Sequence, residues 1–239
     1  MARRLRLVMT DVDGTLTSDG QHFDPAVKAC MDRLQTNGIL VGLVSGRDLP
    51  RLENIVTILS TKGPLIAENG GVARLTPSGP LVNLGYSRKP ALEAVEKLKS
   101  SFPGAITELE DNKNRLVDVT IESNGATVVD LQSVVPRIQI LDSGYMVHLM
   151  PEGISKGGTL ISLLPDLGLS ASEVAVFGDS PTDISLFQKF RNSVLVHNPR
   201  LSNDQLLAVR GCSTYESSLP VEQGFCQVAA HIIRLRQRE

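Results

Sequence analysis

Cysteine is scarce: the 239 residues hold three, Cys30, Cys212 and Cys226. They are odd in number, widely spaced and form no Cys-x-x-Cys pair. That fits reduced, mostly buried thiols in a cytoplasmic protein, none of them set up as a nucleophile. Long hydrophobic runs are missing, and the apolar stretches are strand-sized, far short of the roughly 20 residues of a membrane span. The basic start Met1-Ala2-Arg3-Arg4 leads into an apolar run broken at Arg6, so it does not read as a secretory signal. No excess of positive charge exists either. A net charge of -2 leaves no basic footprint for nucleic acid. No Gly-x-Gly-x-x-Gly follows the first strand and no Walker lysine loop is present, which disfavours a nucleotide-binding module. Internal repeats and low-complexity tracts are lacking, and 41% hydrophobic residues suffice for a real core.

What is present is organised around the first apolar run, Leu5 to Thr10, which delivers Asp11 and Asp13 at its C-terminal end before Gly14 and Thr15 turn the chain away. Side chains at i and i+2 of a strand share a face. At least one carboxylate therefore points into the crevice beyond the strand ends, and both do if the turn begins after Asp13. Two anions this close repel, and burial raises at least one pKa, so a cation or a shared proton is needed.

Along the chain, Asp24-Pro25 starts a helix carrying Val27, Met31 and Leu34, stopped by Gly38. Ile39 to Val44 is a strand ending in Ser45-Gly46-Arg47. A helix with Leu52, Leu59 and either Ile55 or Val56 on one face leads to the strand Pro64 to Ala67 and the loop Glu68-Asn69-Gly70-Gly71. This alternation predicts a parallel, doubly wound sheet. Val72–Leu75 and Leu81–Leu84 read as a β-hairpin about Thr76–Pro80. The rhythm then changes. Residues 85–152 read as an inserted small α+β domain, with helices at 90–100 and 126–134 and strands at 115–121, 138–141 and 145–150. The doubly wound pattern resumes with a Ser155-capped helix, the strand Val174 to Phe177, a helix over 182–190 and the strand Val194 to Val196. A closing amphipathic helix has Arg234, Arg236 and Arg238 near its end. The expected fold is α/β: a Rossmann-like core from residues 1–84 and 153–239, with 85–152 as the insert.

Four stations fall at strand C-termini or helix N-termini. Asp11-Val12-Asp13-Gly14-Thr15 is the first, although an Asp-rich strand end also makes a common turn. Ser45-Gly46-Arg47 reads either as a phosphate-holding nest or as a strand-terminating turn. Lys156 lies in a first helical turn, where the dipole disfavours a cation, so it either faces an anion or is solvated. Gly178-Asp179-Ser180-Pro181-Thr182-Asp183 offers two more carboxylates, with helix capping the alternative for Asp183. Taken together, four acids, a lysine and a hydroxyl converge on one sheet edge. Clustered carboxylates suit Mg²⁺, and the chemistry they imply is phosphoryl transfer.

These four motifs, in this order, resemble the haloacid dehalogenase superfamily of phosphatases, and the position of the insert resembles its Cof-type branch with a class IIB cap. The resemblance implies a Mg²⁺-dependent phosphomonoester hydrolase working through an aspartyl phosphate. In that scheme Asp11 is the nucleophile and Asp13 the general acid, then base, with its backbone carbonyl on the metal. Ser45 and Lys156 hold the phosphoryl group, and Asp179 and Asp183 complete the metal site with Asp11 and Asp13.

Within the branch, the compact cap, the Glu68–Gly71 loop and the Ser143–Met150 segment most resemble archaeal-type phosphoglycolate phosphatases. A substrate carboxylate needs a cation, for which Arg115, at the start of a cap strand, is suited unless it is simply solvated. His148 either faces the site or is structural. Asn69, Gly46 and Arg47 line the entrance. The alternatives are a sugar-phosphate phosphatase (sucrose-phosphate or mannosyl-3-phosphoglycerate type), a phosphomutase, or a phospho-accepting receiver-like domain. The expected partner is a small phosphate ester, with no nucleic acid or membrane, and the expected state is a cytoplasmic monomer or homodimer.

Overall fold

The computed structural model describes residues 5–237; Met1 to Arg4, with the basic start, and Arg238 and Glu239 lie outside the described residues. The fully buried strand β1 (Leu7–Thr10) opens the chain. Helix α1 (Pro25–Thr36) follows. The Asp24 carboxylate accepts the Ala26 N–H, Pro25 fills the first turn, and Val27, Met31 and Leu34 face inward. Then come β2 (Leu40–Val44), α2 (Leu49–Leu59) capped by Asp48, β3 (Leu65–Ala67) and β4 (Val72–Arg74). The expected hairpin between Val72–Leu75 and Leu81–Leu84 is reduced to one bridge, Arg74 to Leu81. The strand instead folds back antiparallel on β3. A compact turn with left-handed Glu68 and Asn69 reverses the chain before the Thr76–Pro80 turn is reached.

The chain next builds a separate four-stranded sheet. Its elements are α3 (Lys89–Ser101), β5 (Ile106–Glu108), β6 (Val119–Ser123), α4 (Val128–Val134), β7 (Ile138–Asp142) and β8 (Val147–Pro151). The order is β5-β6-β8-β7 and every pairing is antiparallel. One face packs on Ala91, Ala94, Val95 and Leu98 of α3. The strand expected from Arg115 begins only at Val119, because residues 110–114 form a 3-10 turn that Arg115 closes.

The first sheet then resumes with α5 (Lys156–Leu167), β9 (Val174–Gly178), α6 (Ile184–Lys189), β10 (Asn192–His197), α7 (Asn203–Arg210), β11 (Tyr215–Pro220) and α8 (Val221–Gln237). The seven strands run β11-β10-β9-β1-β2-β3-β4, and all neighbours are parallel except β3 and β4. Strand alternation divides the core. Val8, Ala175, Phe177 and Val194 pack with α1, α2 and α8 on one face, and Leu7, Met9, Val176 and Leu195 with α5 and α6 on the other. The strand order reverses about β1, flanked by β9 and β2, so the crevice of a doubly wound sheet opens beyond its carboxyl end. No helix among the described residues is long and apolar enough to cross a membrane.

Candidate active site

Asp11 continues β1 by one residue, donating its N–H to the Phe177 carbonyl at 2.9 Å. Its carboxylate is buried and receives the Lys156 ammonium at 2.6 Å. Lys156 arrives on the first turn of α5, which Ser155 caps. Gly157 lets that turn close on the next helix, since a Cβ there would run into the Ser185 carbonyl. The same ammonium donates to Asp183 at 2.8 Å and to the Thr182 hydroxyl at 3.2 Å. Asp183 in turn accepts the backbone N–H groups of Asp179 and Ser180, at 3.1 and 3.2 Å. Asp179 accepts from Thr15 at 3.0 Å and from Asn198 at 2.6 Å. Gly14 passes above it at φ +79°, where a Cβ would collide with the Asp179 carboxylate. Two requirements therefore fix glycine at this turn.

Burial pushes the Asp11 carboxyl well above its usual range; Lys156 opposes this, while Asp183 and Asp179 add to it. Burial, reinforced by Asp183, lifts Asp179 to about 7. Burial also works against the Lys156 charge, yet the Asp11 and Asp183 carboxylates hold its pKa above the ordinary value. Asp11, Asp179 and Asp183 each offer a carboxylate oxygen, all within 4.8 Å of one another. Three carboxylates against one ammonium leave an excess of two negative charges when all are ionised. An all-oxygen donor set with that excess fits a hard dication.

Asp13 behaves differently. Its carboxylate is partly exposed and turns to Arg47, which grips it through Nε at 2.8 Å and Nη2 at 2.5 Å. Arg47 also donates to the Gly20 carbonyl, tying the loop after β1 to the end of β2. Ser45, buried at that end, accepts the Arg47 N–H at 3.2 Å. Asn69 donates its backbone N–H to the Ser45 carbonyl at 3.0 Å and lies against Gly46; its buried Nδ2 has no partner.

The two remaining residues from the sequence reading lie deeper. Arg115 is 2% exposed and fully engaged: its Nη2 pairs with Asp111 at 2.8 Å, and its Nη1 with Asp118 at 2.7 Å and with the Gly46 carbonyl at 3.0 Å. His148, on β8, is buried with Nδ1 at 2.7 Å from Asp118. Burial opposes ionisation of Asp118, but the His148 and Arg115 contacts hold its carboxyl below the ordinary range. Arg115 and His148 thus form one network that braces the Ser45-Gly46-Arg47 turn from the second sheet. A neighbouring clasp, absent from the sequence reading as a site, runs parallel to it. The Glu68 carboxylate accepts the N–H groups of Leu116, Val117 and Asp118 at 2.8, 2.8 and 2.9 Å. Two further residues went unread. Asn198 lies just past the end of β10, a position that could have flagged it, and Arg200 donates to the Tyr145 hydroxyl at 2.9 Å across the two sheets.

The sequence model of haloacid dehalogenase-like hydrolases matches residues 8–114 and 130–205. The chain belongs to that family. Among the haloacid dehalogenase-like hydrolases it is 34% identical over 200 residues to a phosphoglycolate phosphatase of Methanoculleus marisnigri, covering 81% of this chain and 85% of that one. A Thermoplasma acidophilum protein of known structure superposes with a TM-score of 0.82 at 23% identity, over 95% of this chain and 98% of that one. The sucrose-phosphatase of Synechocystis, solved with sucrose and phosphate, gives 0.73 at 20% identity over 96% and 98%. The α/β fold expected of this family is the fold observed.

Proposed function

We propose that this hydrolase cleaves 2-phosphoglycolate, using Mg²⁺ and an aspartyl-phosphate intermediate on Asp11. The observation that carries this reading is the Asp11 carboxylate at the carboxyl end of β1, buried, aimed into the sheet crevice and matched to Lys156 at 2.6 Å. Asp11, Asp179 and Asp183, with the Asp13 carbonyl, would hold Mg²⁺. The ion would supply positive charge to the transferring phosphoryl group and let the raised carboxyls of Asp11 and Asp179 ionise.

The chain's own residues supply the rest. Asp11 attacks phosphorus as the ester bond to the leaving oxygen breaks. Asp13, at the rim and tethered by Arg47, gives that oxygen its proton and later takes one from the water that hydrolyses the aspartyl phosphate. Lys156 and Ser45 offset the charge on the phosphoryl oxygens. Residues 85–152 act as a cap over this site, braced through Arg115 and Glu68, and exclude water from the first step.

Phosphoglycolate also carries a carboxylate. Arg115 spends its guanidinium on Asp111, Asp118 and Gly46, whereas Arg200, two residues from the Asp179-binding Asn198, touches only the Tyr145 hydroxyl with its side chain among the described residues. We assign it the substrate carboxylate. The test is phosphate release across phosphoglycolate, sucrose 6-phosphate, mannosyl-3-phosphoglycerate, hexose phosphates and p-nitrophenyl phosphate. A preference for phosphoglycolate of at least about a hundredfold in kcat/KM, roughly 2.7 kcal/mol, is expected. Arg200→Ala should erase that preference while sparing p-nitrophenyl phosphate. A flat wild-type profile refutes the substrate, and an unchanged profile in Arg200→Ala refutes the role of Arg200.

A further inference from the structure

The cysteines, unremarkable in sequence, are arranged in space. Cys30 on α1 and Cys226 on α8 belong to the same side of the sheet, where the two helices pack together. The Cys226 sulfur lies over the same turn of α1, at 3.5 Å from the Ala26 carbonyl, one turn before Cys30. Both line a surface cavity of about 480 Å³, with Asp24, Glu222 and Arg234 around it. Cys212 packs on the opposite face of the sheet. A small thiol-reactive reagent can therefore reach both residues through the cavity, with no part of the sheet between them.

We propose that Cys30 and Cys226 form a redox site, a dithiol that a low-molecular-weight disulfide such as oxidised glutathione converts into an α1–α8 cross-link. The Cys30 thiolate attacks one sulfur of the reagent, forming a mixed disulfide and expelling one thiolate. Cys226 loses its proton and attacks the Cys30 sulfur, expelling the second. Two protein thiols are oxidised and one disulfide is reduced to two thiols. The order of attack follows from the pair itself: the neighbouring Cys226 thiol, helped by Arg33, brings the Cys30 thiol down to about 7, while Cys30 and burial push Cys226 up. The cross-link joins the helix that follows the Asp11–Asp13 loop to the last helix of the chain. Glu222 of α8 already holds that loop through the Ser18 N–H at 2.7 Å.

The test treats the folded full-length chain with oxidised glutathione, blocks remaining thiols under acid conditions and maps peptides by mass spectrometry. The expected product has lost two hydrogen masses, joins the Cys30 and Cys226 peptides, and keeps Cys212 free for alkylation. Cys226→Ser should stop at a glutathione adduct on Cys30, and Cys30→Ser should leave Cys226 largely unmodified. Oxidation should raise Tm by about 5 °C or more, because the cross-link closes most of the chain into one loop. Separate glutathione adducts on both cysteines of the wild type, or oxidation no faster than at Cys212, would overturn the proposal.

Discussion

Glu68 provides the sharpest test of how the two sheets are joined. Its carboxylate is fully buried at the end of β3, and burial together with Asp118 raises its pKa to about 7 even though three N–H groups pull the other way. An ordinary glutamate, and Glu68 in the unfolded chain, titrates near 4.5. Between those values the folded protein holds a proton that the unfolded chain has released. The free energy of unfolding therefore falls as pH rises, with the contribution of Glu68 full below about 4.5 and lost by about pH 8. The shift corresponds to about 3 kcal/mol in total, of which about 2–3 kcal/mol falls between about pH 5 and about pH 8. Glu68→Gln keeps the shape of the side chain and removes the titration. The assay is urea unfolding of both proteins across that range, with chelator present so that the acidic cluster stays metal-free. The stability lead of wild type over Glu68→Gln should shrink by about 2–3 kcal/mol from the acid to the alkaline end. Parallel curves would refute the reasoning, because they would mean that Glu68 ionises alike in the folded and unfolded chain.

Further expectations concern the charged network. Lys156→Met should lower kcat/KM by at least about a hundredfold to a thousandfold, since it removes a preorganised cation from the phosphoryl site; a change below tenfold in a phosphate-release assay argues against its role. Chelation should abolish turnover and Mg²⁺ restore it. Mg²⁺ should also raise Tm by several degrees in calorimetry, about 2.7 kcal/mol at a hundredfold excess over Kd, and Asp179→Asn should lose that rise. Arg115→Met leaves Asp111 and Asp118 buried beside each other without their shared partner, so denaturant unfolding should show a loss of about 3–5 kcal/mol.

The elements that build the crevice are legible because local chemistry and burial agree. Asp24-Pro25 starts α1, Ser155 starts α5, and the runs leading to Asp11, Ser45 and Asp179 are strands buried on both faces. Elements with little to bury were missed. β5 buries only Ile106, β11 only Ser217, and α7 only Val209, although the Ser202–Gln205 capping box marks where α7 begins. Arg115 was misplaced for a different reason. Its setting depends on a 3-10 turn that presents Asp111 to it and on a Gly46 carbonyl reached across the two sheets, neither of which leaves a periodic trace. The Cys30–Cys226 pair escaped because it depends on α8 packing against α1 from the far end of the chain. The four motifs could be assigned to one edge from strand ends alone, but their division of labour required coordinates: Asp13 with Arg47, and Asp11 with Lys156.

The most direct measurement is rapid-quench turnover of radiolabelled phosphoglycolate with Mg²⁺, followed by peptide mapping of the acid-trapped protein. Covalent catalysis at the carboxyl end of β1 predicts transient label on the peptide containing Asp11, with no label and no turnover in Asp11→Asn. Phosphate release without labelled peptide, or near-normal turnover by Asp11→Asn, would contradict it.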